Sequence, residues 1–268
     1  MSPLLPQVVR APRELVPGIW WLGGCTAAPF ADRILHGYSS PFLVQGDEAA
    51  LLVEAGHPAE LWAVEQQLDM IKGLGGPPLK YVFATHQEPP HSSGAGRILR
   101  ANPEAVLVGT VQDYHLVFPG LEDRFRPMQI GESIDLGGTQ FQIVDAVIRD
   151  LASTQWGFDT RRHVLFPGDG FAYSHYHEAG QCQRTAEEVP ELDIADQAAL
   201  FAELALYWTR FTDIEPYIER LEAMLAELEV ELIAPAHGCP ITDIAATVPK
   251  IVEGLRMGSV LPDLSPPH

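Results

Sequence analysis

The sequence predicts an α/β fold, on three observations. Short runs rich in β-formers alternate with stretches whose apolar residues recur at helical spacing. Three of the β-type runs, Tyr81–Ala84, His163–Phe166 and Glu231–Ala234, each stop just short of a side chain able to bind metal. The chain has 268 residues, 46% of them apolar and 20% charged, enough for one large domain with an extensive core.

Residues 1–17 carry four prolines and little periodicity, and read as an extended arm along the domain or a partner subunit. The domain is expected to span residues 18–258, leaving a Pro-rich tail at 259–268. Gly18–Gly24 opens the first sheet. Tyr38–Gln45, the turn Gly46-Asp47 and Ala49–Gly56 read as a β-hairpin. Leu61, Val64, Leu68 and Ile71 share a helical face that ends at Gly73 and Gly75. A helix is expected to start within Gly94–Ala101, and Ala105–Gly109 returns to strand; Val111–Val117 fits no single pattern. Ile134–Ile148 reads as two strands around Gly137-Gly138, the start of a second strand-then-helix half. Gly170–Ala205 is the least regular stretch. Thr212–Glu215 has capping-box spacing. Ile214, Ile218, Leu221, Leu225 and Leu228 then mark a long helix with Tyr217 and Met224 on its flanks, and Ile244–Leu255 a closing one.

The chemistry is concentrated at strand ends. His86, Glu88 and His91 follow a buried strand on a tight loop, because Pro89, Pro90 and Ser92-Ser93-Gly94 argue against its continuation. Ligands of open α/β sheets bind at such carboxyl ends. Asp169 ends the second run and His237 the third. Nitrogen and oxygen donors suit zinc, iron or manganese better than Cu(I) or an iron–sulfur cluster. The first motif alone could be a polar surface turn; three strands delivering metal-type side chains make chance the weaker account.

On these residues the chain resembles the metallo-β-lactamase superfamily, and within it the lactamase-like domain of flavodiiron proteins and their stand-alone diiron relatives. The superfamily's usual motif is His-x-His-x-Asp-His, and the flavodiiron branch carries His-x-Glu-x-Asp-His. His86-Gln87-Glu88-Pro89-Pro90-His91 follows the latter. Gly168-Asp169 matches the bridging aspartate, and Ala234-Pro235-Ala236-His237-Gly238 the last histidine. Tyr207–Tyr217 looks like the helix preceding that histidine. The resemblance runs from about Gly18 to Asp243. It implies an αββα sandwich of two mixed sheets with flanking helices, holding one or two metal ions. It also sets Glu54 where the superfamily has an aspartate that orients metal ligands, and His57, a loop histidine, just after it.

Two departures matter. Pro90 stands where the branch has an aspartate, and residues 145–154 offer no histidine where the family has one. A gapless match puts Asp150 there; a slip of one residue puts Arg149. On the first alignment the resemblance implies His86, Glu88, Asp150 and Asp169 around one metal, with Asp169, His91 and His237 left for a second. An arginine there would instead set a cation against cations and cripple the first site.

Composition narrows the partners. With 36 Asp and Glu against 17 Lys and Arg, the net charge is −19. Nucleic-acid binders need a basic footprint, so none is expected, and polyanionic substrates are disfavoured. No apolar run approaches a membrane span, and the N-terminus lacks the basic and apolar regions of a signal peptide, which predicts a cytoplasmic protein away from membranes. Cys25, Cys182 and Cys239 have no zinc-ribbon or disulfide-framework spacing. There is no phosphate loop, nucleophile elbow or flavodoxin-like stretch. The expected cofactors are one or two Zn or Fe ions, with Mn admissible, and neither flavin nor nucleotide.

Phe171, Tyr173, His175 and His177 crowd the loop after Asp169 and read equally as pocket lining or a subunit contact; with Tyr207 they are the substrate-contact candidates. The first functional expectation is a metal-dependent hydrolase of a small uncharged substrate, aromatic ones included, using metal-activated water. Asp169 would fix the metal, with Glu88 or Asp150 as general base. The alternatives are a non-haem iron or diiron protein that binds or reduces dioxygen or nitric oxide, and a non-catalytic partner subunit with a degenerate site. A second copy or a homologous subunit is the expected protein partner.

Overall fold

Most of the apolar runs become strands, and the helical stripes become helices packed on them. In chain order the elements are β1 (Arg13–Val16), β2 (Ile19–Trp21), β3 (Cys25–Phe30), β4 (Arg33–Tyr38), β5 (Phe42–Gln45) and β6 (Ala50–Val53). Next come α1 (Leu61–Gly73), β7 (Leu79–Phe83), α2 (Pro89–Ser92), α3 (Ala95–Ala101), β8 (Val106–Gly109) and α4 (Tyr114–Val117). Then follow β9 (Phe125–Pro127), β10 (Ser133–Asp135), β11 (Gln140–Asp145), β12 (Gln155–Asp159) and β13 (Val164–Phe166). The last are α5 (Ile194–Ala205), α6 (Glu215–Glu227), β14 (Leu232–Ile233) and α7 (Ile244–Gly258). The computed structural model describes residues 9–30, 33–175, 182–189 and 192–260. They divide into two units: Met1–Cys25 with Ser39–Val144 and Asp159–Arg161, and Thr26–Tyr38 with Asp145–Phe158 and Arg162–His268.

The first unit is built on a seven-stranded sheet in the order β1-β2-β5-β6-β7-β8-β9. The β5–β6 hairpin is antiparallel, whereas β6, β7 and β8 are parallel because α1, α2 and α3 carry the chain back between them. Every residue of β6 is buried, as a covered parallel strand requires. Leu61, Val64 and Ile71 of α1 join Leu52, Val82, Ile98 and Leu107 in one apolar cluster. Burying each such side chain contributes about 1.5–3 kcal/mol. The β10–β11 hairpin turns on Gly137 and Gly138, at φ +79° and +71°, the left-handed pair that a tight type I′ turn demands. Residues 13–16, predicted to lie in the arm, form edge strand β1 against β2.

In the second unit β13 and β14 are parallel neighbours, with Val164 opposite Leu232 and Leu165 opposite Ile233. Helices α5 and α7 pack closely through small residues. A Cβ on Gly254 would lie 2.6 Å from the Ala198 Cβ, and one on Gly258 2.7 Å from that of Ala202. The sequence reading left residues 194–205 irregular, yet they form α5, whose N-cap Asp193 accepts from the Asp196 N–H. The capping box predicted at Thr212–Glu215 does not form. Ile214 is the N-cap of α6, and the Asp213 carboxylate takes the Glu215 N–H instead. A capping box forms at Thr185 and Glu188, where the extended N-cap lets both side chains reach the opposing backbone.

Candidate metal centre

In the first unit the donors stand at the carboxyl ends of two adjacent parallel strands. Val53 of β6 pairs with Phe83 of β7, so Glu54 and the segment Ala84-Thr85-His86 leave the sheet side by side. Glu54 adopts left-handed backbone, φ 59°, and its carboxylate is buried. It accepts from Thr85 Oγ1 at 2.6 Å and the Thr85 N–H at 3.2 Å, and pairs with His91 Nδ1 at 3.2 Å. The Thr85 hydroxyl spends its one proton on Glu54, so toward His86 Nδ1, 3.0 Å away, it can only accept. His86 therefore carries its proton on Nδ1 and would meet a metal through Nε2, and the carboxylate 3.2 Å from His91 Nδ1 favours the same tautomer there. Their rings lie 3.8 Å apart, both buried.

His91 was predicted on a loop, but it sits on the single turn of α2. Pro89 and Pro90 occupy the first helical positions, where a missing N–H costs nothing. Pro90 thus supplies helix geometry in place of a ligand. Glu88 precedes this turn as its N-cap; its carbonyl takes the His91 and Ser92 N–H groups, while its carboxylate makes no capping bond and is exposed. Tyr114, whose hydroxyl donates to the His86 carbonyl, is buried, and burial holds its phenol well above the ordinary value.

The second unit repeats the device. Asp169 follows β13 and His237 follows β14, and the Ala236 N–H bonds to the Gly168 carbonyl between them. His237 Nε2 lies 3.5 Å from Asp169 Oδ1. Its Nδ1 is held by the Tyr38 carbonyl, which can only accept, so this ring too presents Nε2. Phe201 of α5 packs against the same imidazole at 5.6 Å. Asp150 is half-buried and accepts from the Thr154 hydroxyl at 2.9 Å. Arg149 turns to Asp145, so Asp150 is the better candidate ligand of the two.

Within each unit these donors fit a transition-metal ion, since imidazole Nε2 and carboxylate oxygen are the atoms iron, zinc and manganese take. Thr85 and Tyr38, which set the tautomers, were not singled out from the sequence. Thr85 could have been, as the residue beside His86; Tyr38 carried no signal.

The predicted substrate contacts fall elsewhere. Phe171 and Tyr173 are 0% exposed: Phe171 packs on Trp156, and the Tyr173 hydroxyl bonds to the backbone of Cys239. His175 is 1% exposed and stacked on Tyr38. The aromatic loop is core, because Gly170 and Gly238 let rings close over the backbone; a Cβ on Gly238 would lie 2.7 Å from the Tyr173 ring. Tyr207 is 61% exposed on a 3-10 turn, Tyr207–Phe211, where an α-helix was implied. His177 lies outside the described residues. Cys239 is buried, which pushes its thiol up to about 12 and leaves it a small apolar filler. A cleft of about 960 Å³ opens in the first unit between α1 and α3, lined by Lys72, Arg97 and Leu79 among others, and takes in none of the candidate ligands.

A family model described as Metallo-beta-lactamase superfamily matches residues 35–237. The chain is 24% identical over 249 residues to a Coenzyme F420H(2) oxidase of Methanocaldococcus jannaschii, covering 86% of this chain and 57% of that protein. Among solved structures, the flavodiiron protein of Giardia intestinalis superposes with a TM-score of 0.69 at 17% identity, over 95% of this chain and 60% of that one. The rubredoxin oxygen:oxidoreductase of Desulfovibrio gigas gives a TM-score of 0.70 at 12% identity, over 92% and 60%. The chain spans little more than half the length of these relatives. Their named activities are oxidations, and they overturn the hydrolase expected first from the sequence. That expectation followed the superfamily's usual chemistry, the lack of a flavodoxin-like stretch and the aromatic loop after Asp169, and a shared fold does not fix the reaction. Among the described residues no helix is long and apolar enough to cross a membrane.

Proposed function

Because the chain belongs to the metallo-beta-lactamase superfamily, with mixed sheets and flanking helices of that type, we propose that it is a non-haem iron oxidoreductase that reduces dioxygen or nitric oxide. The observation that carries a metal role is the common state of three imidazoles. His86 and His237 each have Nδ1 bonded to an oxygen, and His91 Nδ1 lies 3.2 Å from the Glu54 carboxylate, so each is set to offer Nε2. The relatives' names carry the step from metal to redox chemistry, and they suggest a reduced cofactor of the F420H2 type, or a redox protein, as electron donor.

In this reading the residues that would hold iron are His86, Glu88 and His91 in the first unit and Asp150, Asp169 and His237 in the second. Bound iron would supply the redox couple and the binding position for the diatomic substrate. The chain's own residues do the rest. Glu54 and Thr85 keep His86 and His91 in one tautomer, and the Tyr38 carbonyl does so for His237, so no proton must leave Nε2 before a ligand binds. Asp169 contributes negative charge from a buried position, which offsets that of a cation. Glu88, exposed, can pass a proton from solvent through its carboxylate.

The test is anaerobic reconstitution with Fe(II), iron analysis per chain, and oxygen- and nitric-oxide-electrode assays with dithionite-reduced protein. Iron-loaded protein should consume one of the two gases, and Asp169→Ala should lose at least half its iron and all consumption. A fully iron-loaded, reduced protein inert to both gases would refute the proposal, as would full activity in Asp169→Ala.

A further inference from the structure

We propose that His175 is a positioning residue for His237: its imidazole, stacked on Tyr38, holds the Tyr38 carbonyl against Nδ1 of His237 and so keeps Nε2 turned to the metal. The inference rests on the reading above that His237 is a ligand.

The restraint acts on strand β4 from two directions. His175 and His36 exchange both backbone hydrogen bonds, at 2.6 and 3.1 Å, which docks the segment after Asp169 onto the strand. Two residues along, on the same face, the ring of Tyr38 lies against that of His175, with centroids 4.6 Å apart and planes 14° from parallel. Both side chains are buried, so neither ring has a solvent role. The Tyr38 hydroxyl accepts the Gln183 N–H at 2.7 Å, which pins the far end of the ring. Its own carbonyl is the group on His237. The Tyr38 ring is thus stacked on one face and bonded at its hydroxyl, which restrains the residue whose carbonyl holds His237. His175 reaches His237 through Tyr38, whose ring it stacks on and whose carbonyl holds the His237 Nδ1. The backbone pairing with His36 does not use the imidazole, so His175→Ala and His175→Phe test the stacking contribution.

Groups that orient metal-bound histidines typically change metal affinity about 10–100-fold when removed. His175→Ala is expected to weaken iron or zinc binding, measured by chelator competition, by a factor in that range. His175→Phe, which keeps a flat ring on Tyr38, should stay within about threefold of wild type on the same scale. In metal-free protein, ring ¹⁵N shifts should show His237 as the Nδ1–H tautomer in wild type and His175→Phe, and as a mixture in His175→Ala. Tyr38→Leu removes the other half of the stack and should match His175→Ala; it carries the test if His175→Ala does not fold. Unchanged affinity and tautomer in the Ala and Leu variants would overturn the inference, as would equal loss in Ala and Phe. If the tautomer changes as expected but wild-type protein takes no metal, the positioning role stands and the metal reading falls.

Discussion

Glu54→Gln is the sharpest perturbation the structure offers, because one carboxylate serves both candidate ligand histidines of the first unit, His86 through Thr85 and His91 directly. Its two oxygens accept hydrogen bonds from Thr85 Oγ1 at 2.6 Å and the Thr85 N–H at 3.2 Å, and His91 Nδ1 lies at ion-pair distance, 3.2 Å. Glutamine has nearly the same shape but one acceptor oxygen and a donor amide. Whichever way the amide turns, at least one N–H faces another N–H. A lost hydrogen bond to a buried charged group is worth about 1.5–3 kcal/mol. At about 1.4 kcal/mol per tenfold, that converts to metal binding weaker by roughly 10- to 100-fold. The assay is competition against a chromophoric chelator, with thermal unfolding of the metal-free protein alongside. Glu54→Gly separates the two roles of the residue. Glu54 holds a left-handed φ of 59°, which costs a side chain about 1 kcal/mol or more. Glycine relieves that strain while deleting the carboxylate, so Glu54→Gly should bind metal worse than Glu54→Gln yet lose less stability than Glu54→Ala. Binding by Glu54→Gln within threefold of wild type would refute the reasoning.

Two further outcomes are expected. Asp150→Asn should lower bound iron while Arg149→Ala leaves it unchanged, because Arg149 turns to Asp145; metal analysis of the two variants that ranks them the other way would move the ligand assignment by one residue. Glu187 is raised by partial burial but carried below the ordinary carboxylate value by hydrogen bonds from Asp243, Thr242 and its own backbone. A depressed folded-state value means its stabilisation is present above the ordinary carboxylate range and is lost as pH falls through the folded-state value. Thermal melts of Glu187→Gln should therefore be lower than wild type at neutral pH and converge on it in acid; a constant offset across pH would contradict this.

How much of the site could be read from sequence depends on how far apart the interacting groups are. The strand ends were legible because the signals are local: β-rich runs at 79–83 and 164–166, each closed within a few residues by proline or glycine, deliver His86 and Asp169. His237 follows the same rule after the two-residue strand β14. Resemblance along these short motifs was enough for the superfamily, though not for the reaction, since the same ligands serve hydrolases and oxidases. The helix α5 was missed for a different reason: an irregular segment before it masked its Asp193 cap.

The sequence by itself determined that several strands end in metal-type side chains, a property of local periodicity and turn chemistry. Tertiary structure decided which nitrogen each histidine offers. Tyr38 and His237 are 199 positions apart, and Glu54 and Thr85 31, so no pattern in the chain announces that they touch. It also decided that Phe171, Tyr173 and His175 are core. An aromatic residue in a loop is equally suited to a pocket or to an interior, and only the backbone closing over it removes it from solvent.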